Sequence, residues 1–113
     1  MISEVDINDW ELADYQADAW QYALPTAKDP NYLFPGLAAE AGEVCGEYAK
    51  LIRDGMKPEY KQKLIKELGD TAWFVASICT HIGVSFESVL KANIEKLKDR
   101  AERNVIGGSG NER

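Results

Sequence analysis

Apolar residues recur along this chain at steps of three and four, the period of one helix face, and no stretch alternates as a half-buried strand does. The first periodic stretch spans residues 9–24 and includes Trp10, Leu12, Ala13, Tyr15, Ala17, Ala19, Trp20, Ala23 and Leu24. Asn8 or Asp9 is placed to cap it and Pro25 to end it. A second helix is predicted over 36–54, with Leu37, Ala41, Val44, Cys45, Tyr48, Leu51 and Ile52 on one stripe and a turn at Asp54-Gly55. A third runs over 58–82, with Pro58 in its first turn and Leu64, Ile65, Leu68, Ala72, Val75, Ile78, Cys79 and Ile82 as its stripe. Gly83 closes it. Ser85 or its neighbour caps a fourth, over 86–103, with Phe86, Val89, Leu90, Ile94, Leu97 and Ala101 inward.

The pattern therefore predicts an all-α, four-helix bundle. Residues 25–35, with three prolines, are expected to form a loop of about ten residues, longer than a compact helix hairpin needs. The chain's 113 residues suit one domain, over 1–104, followed by a glycine-rich and mobile tail at 105–113. A core of that size is modest, so self-association is expected to enlarge it.

Charge narrows the partners. The formal net charge is −6 and the pI about 4.8, which disfavours polymeric nucleic acid. No apolar run approaches the roughly 18 residues of a membrane span. The acidic opening Met1-Ile2-Ser3-Glu4-Val5-Asp6 does not resemble a secretory signal. The chain reads as cytoplasmic, with no membrane partner. Cys45 and Cys79 both sit in apolar helical contexts and are expected to be buried thiols.

Within the second and third helices lie two acidic pairs, Glu40-x-x-Glu43 and Glu67-x-x-Asp70, separated by 23 residues. Spacing of i, i+3 puts both carboxylates of a pair on one helix face. They repel one another unless a cation sits among them. At about 100° per residue, Glu40, Glu43 and Glu47 cluster on a flank of the apolar stripe instead of opposite it. Of these, only Glu47 has a basic neighbour at helical spacing, Lys50. Such a set suits hard Mg²⁺ or Mn²⁺. Zinc is disfavoured by a single histidine and no close cysteine pair, and a di-iron bundle by the absence of Glu-x-x-His. The alternative for any such pair is an ordinary solvated face.

On the fourth helix Asn93, Lys96 and Arg100 share a face that could meet phosphate oxygens, although cations near a helix C-terminus are favoured by the dipole in any case. Ser77 and Ser85 lack a histidine partner, His81 reads as a surface or interface residue, and there is no Gly-x-x-x-x-Gly-Lys phosphate loop.

Four motifs in order resemble the MazG-type all-α nucleoside triphosphate pyrophosphohydrolases: Leu37-Ala38-Ala39-Glu40-Ala41-Gly42-Glu43-Val44, Glu67-Leu68-Gly69-Asp70-Thr71-Ala72-Trp73, Lys91 to Arg100, and the glycine-rich close at 107–113, which is similar to small phage-type members. The resemblance covers roughly residues 12–113. It implies a Mg²⁺-dependent enzyme, with Mn²⁺ as a substitute, that cuts (deoxy)nucleoside triphosphates between the α and β phosphates. Glu40, Glu43, Glu67 and Asp70 would ligate metal. The metal would polarise phosphoryl oxygens and activate water, and Glu47 or Glu40 would take that water's proton. Asn93, Lys96 and Arg100 would contact phosphates. Tyr15, Gln16, Trp20, Tyr32 and Phe34 could stack on a base or read its edge, or simply be core. The resemblance also implies a homo-dimer or tetramer, and the host cytoplasm for a phage-encoded chain. Competing readings are phosphoribosyl-ATP as substrate, or a non-enzymatic helical interaction module whose acids are only solvated.

Overall fold

The computed structural model describes residues 10–104 and 107. Four helices follow in order: α1 (Leu12–Gln21), α2 (Pro30–Asp54), α3 (Tyr60–Ile82) and α4 (Phe86–Glu102), with a 3-10 turn at Pro25–Lys28 between the first two. Among the described residues there is no strand. The expected all-α, four-helix architecture is present. The caps expected at Asn8 and Asp9, and the tail at 105–106 and 108–113, lie outside the described residues.

α1 is shorter than the pattern suggests. At its start the Glu11 amide donates to the Asp14 carboxylate at 2.9 Å. It ends at Gln21, because Leu24 must be extended before Pro25 and the chain leaves the helix ahead of it.

The loop expected over Pro25–Pro35 is largely replaced by helix. Asp29 caps α2 by accepting from the Asn31 amide at 2.8 Å, and Pro30 occupies the first helical position, where no N–H is needed. Pro35 lies inside the helix. It removes one bond, that to the Asn31 carbonyl, and the remaining turns carry through.

α2 and α3 form a long antiparallel hairpin. Leu33, Leu37, Val44 and Leu51 turn toward α3, with Leu33 fully buried. The single α2 stripe read from the sequence is therefore two faces: Cys45, Tyr48 and Ile52 point outward. Cys45 is exposed and only Cys79 is buried, so the expectation of two buried thiols fails for Cys45. Its angular position on α2 is about 100° from the half-buried Val44.

At the other end of the hairpin, Gly36 meets the Phe74 ring. A Cβ at Gly36 would collide with it, lying 2.7 Å from Phe74 Cζ. α1 crosses the upper half of α3, where the Trp73 indole N–H donates to the Ala19 carbonyl at 3.0 Å. The small core there joins Ala76, Cys79 and Phe86 to Leu12, Tyr15 and Val75.

Gly83 ends α3 in the left-handed conformation (φ 79°), and Ser85 caps α4 by accepting from the Ser88 amide at 3.0 Å. α4 then leaves at 103° to α3. Phe86 is buried, but Val89, Leu90, Ile94 and Leu97, expected to face inward, are substantially exposed. No single described helix is long and apolar enough to cross a membrane.

Candidate metal centre

The antiparallel packing of α2 on α3 brings one member of the first acidic pair onto the second. Glu40, Glu67 and Asp70 each offer a carboxylate oxygen, and these oxygens lie within 4.8 Å of one another. Glu40 and Glu67 sit at the helix seam, half-buried, while Asp70 is exposed beside them. The helical period explains this. Glu40 shares the inward direction of Leu33 and Leu51, and Glu67 that of Phe74 and Ile78, so hairpin packing forces the two carboxylates to meet.

That meeting is electrostatically unfavourable without a cation. The Glu40 carboxyl is pushed above its ordinary range by burial first, then by the charges of Asp70, Glu67 and Glu43, and by a hydrogen bond shared with Glu67. An all-carboxylate donor set with half-buried oxygens fits a hard divalent ion. Glu43 lies one turn along α2, exposed and outside the group of three, though close enough for its charge to be felt at Glu40.

Glu47 is displaced by two turns from Glu40, roughly 10 Å along the helix. It is 7% exposed and is paired with Lys50 at 3.3 Å. It lines a separate cleft of 110 Å³ at the α2–α3 turn with Lys50, Leu51, Asp54 and Tyr60.

The aromatic candidates divide. Tyr15 has its phenol pKa raised by burial and, second, by the Asp70 charge, which places it toward the acidic cluster. Its ring also packs edge-on against Trp10 at 5.3 Å. Tyr32 lies 5.8 Å from Phe74, one turn above Asp70. Trp20 carries Lys28 Nζ 5.2 Å from its ring centre. Phe34 is half exposed. Gln16 is committed elsewhere: its amide bonds Thr80, Val84 and Phe86 at the α3–α4 connection.

On α4, Arg100 is 4% exposed, Lys96 is partly buried and Asn93 is exposed. His81 is exposed. Sequence reasoning assigned no part to Phe74, which stacks near Tyr32 and abuts Gly36, or to Lys28 over Trp20. The Gly36 signal was available, since a glycine at a helix seam marks close approach, but it does not name the partner.

Residues 28–105 match the model of the MazG nucleotide pyrophosphohydrolase domain. The chain belongs to the MazG nucleotide pyrophosphohydrolase family. It is 37% identical over 86 residues to the Gene 37 protein of Mycobacterium phage L5, covering 74% of this chain and 75% of that one. It is 31% identical over 105 residues to the Uncharacterized protein YvdC of Bacillus subtilis (strain 168), covering 86% and 94%. No solved structure is a significant match. The MazG match includes α2, α3 and α4, and therefore every carboxylate of the candidate centre.

Proposed function

We propose that this MazG-family chain is a divalent-metal-dependent pyrophosphohydrolase of nucleoside or deoxynucleoside triphosphates. It adds water at the α phosphorus, breaks the bond to the bridging oxygen of the β phosphate, and releases the monophosphate and pyrophosphate. The observation that carries this reading is the convergence of Glu40, Glu67 and Asp70 across the α2–α3 seam within 4.8 Å, inside the segment that matches the family.

Those three side chains would hold Mg²⁺ or Mn²⁺, with Glu43 able to join from the next turn. A bound cation supplies charge neutralisation of the triphosphate and Lewis acidity toward water and phosphoryl oxygen. Glu40, at the centre itself, is the nearer candidate for taking the water's proton. Glu47 is held by Lys50 two turns away. Asn93, Lys96 and Arg100 are the proposed phosphate contacts. Tyr15, Trp20, Tyr32 and Phe34 are the proposed base-side residues, around a Phe74 that already stacks near Tyr32.

The active form is proposed to be a homo-oligomer, supported by the outward-facing Tyr48, Ile52, Ile65 and Leu68 of the hairpin.

The test is hydrolysis of a panel of ribo- and deoxynucleoside triphosphates with and without Mg²⁺, resolving pyrophosphate from orthophosphate. Metal-dependent pyrophosphate with a monophosphate is the expected outcome. Orthophosphate with a diphosphate product would show the wrong bond has been assigned. Turnover of phosphoribosyl-ATP alone would reassign the substrate. No turnover and no metal binding would leave a helical interaction module.

A further inference from the structure

One side chain of α1 closes the connection between α3 and α4. Gln16 Nε2 donates to Thr80 Oγ1 at 3.1 Å and to the Val84 carbonyl at 2.9 Å, and its Oε1 accepts from the Phe86 amide at 2.7 Å. Thr80 lies in the last turn of α3, Val84 in the connection, and Phe86 is the first residue of α4. The amide of a first helical residue has no partner within its own helix. Ser85 Oγ serves the Ser88 amide, and Gln16 serves Phe86.

This matters because of how the rest of α4 is held. Past Phe86, the apolar residues Val89, Leu90, Ile94 and Leu97 stay exposed among the described residues, and Arg100 is the next buried position. The three bonds of Gln16 therefore act at the turn that sets the direction in which α4 leaves α3, while Arg100 is buried near the far end of the helix. Lys96 lies ten residues, roughly 15 Å, beyond Phe86, so a change of about 10° at that turn moves it by roughly 2.6 Å. Displacements of that size undo productive alignment of a bound group.

We infer that Gln16 is a positioning residue: it fixes the direction in which α4 leaves α3, and with it where the Asn93–Lys96–Arg100 face stands. The link to phosphate binding rests on the proposed function, whereas the link to helix direction rests on geometry alone. The inference also gives Gln16 a different task from the base reading suggested by its sequence position.

Two variants test it. Gln16→Met keeps the length and removes all three hydrogen bonds. Gln16→Glu keeps the acceptor for Phe86 and loses both donations, so it serves if the first fails to fold. Spin labels at Lys66→Cys on α3 and Glu95→Cys on α4, in a Cys45→Ser background and diluted with unlabelled chain, report the interhelical distance. The expected result is a narrow distance distribution with Gln16 and a shifted or broadened one in each variant.

In steady-state hydrolysis, KM is expected to rise about tenfold by the same factor for every triphosphate, with kcat within about threefold and Mn²⁺ affinity unchanged. An unchanged distance distribution would overturn the inference. So would a base-selective change in KM, which would make Gln16 a reader of the base. If the chain with Gln16 intact hydrolyses no triphosphate, the proposed function fails while the distance measurement still decides the role of Gln16.

Discussion

Glu40 holds its proton more tightly than a free glutamate because folding takes it partly out of water at the seam and, second, sets it beside Asp70, Glu67 and Glu43. The consequence for stability follows from linkage. Between the ordinary value of 4.5 and the raised folded value, the folded protein binds more protons than the unfolded chain. Metal-free stability should therefore fall as pH rises through that window. Melting temperatures from about pH 4 to about pH 7 should show that decline without divalent ions, and Glu40→Gln should flatten it. Saturating Mg²⁺ should raise the melting temperature above the window, since a ligand that binds only the folded state stabilises it. Glu67→Gln removes a proposed metal ligand while keeping shape. Its circular dichroism should match that of the parent chain, while kcat/KM falls by at least about a hundredfold, the upper range seen when only supporting residues of a metal site are lost. Normal turnover by Glu67→Gln would sink the site assignment.

At the scale of elements, the seam between α2 and α3 is what brings the carboxylates together, and Gly36 sets its upper spacing. Gly36→Ala places a methyl group 2.7 Å from Phe74 Cζ. Neither the ring nor the helix can yield without moving Tyr32 or α2, so a loss of about 1–3 kcal/mol is expected, read as a lower denaturation midpoint. Ser85→Ala should cost about 1 kcal/mol through the lost cap on Ser88. The four helices and both acidic pairs were legible because each helix carries a 3.6-residue apolar period and i, i+3 spacing sets each pair on one helix face, although Glu40 and Glu67 turn into the seam where a flank was expected. What was not legible has specific causes. Pro30 and Pro35 read as breakers, yet Pro30 suits a first helical position and Pro35 costs a single bond. The α2 stripe merged two faces, because Val44 and Cys45 are adjacent in sequence but diverge by about 100° around the helix. The hydrogen bonds of Gln16 could not be read, since its partners at 80, 84 and 86 are more than sixty residues away.

At the scale of the whole molecule, the outer side of the hairpin exposes large apolar side chains. Tyr48 is 57% exposed, Ile52 68%, Ile65 50% and Leu68 51%. In two antiparallel helices, residues offset by the same angle from the shared seam emerge on the same side. These four therefore form one apolar face, opposite the side to which Glu43 and Asp70 turn. Covering that face with its counterpart on a second copy would remove on the order of 700 Å² of apolar surface, worth roughly 17 kcal/mol gross at ~25 cal/mol/Å². Association costs about 4–15 kcal/mol before side-chain ordering and polar desolvation are counted, so this face is the expected contact between two copies. Glu43 and Asp70 turn to the other side, so pairing on this face is expected to leave the seam carboxylates accessible. Ile52→Glu combined with Leu68→Glu should shift the sedimentation-equilibrium mass to that of a single 12.6 kDa chain. Because Leu68 is next to Glu67, a second measurement separates assembly from the site: Mn²⁺ binding should survive in the monomeric double variant. An unchanged mass would place the contact elsewhere, with Val89, Leu90, Ile94 and Leu97 of α4 the next face to test.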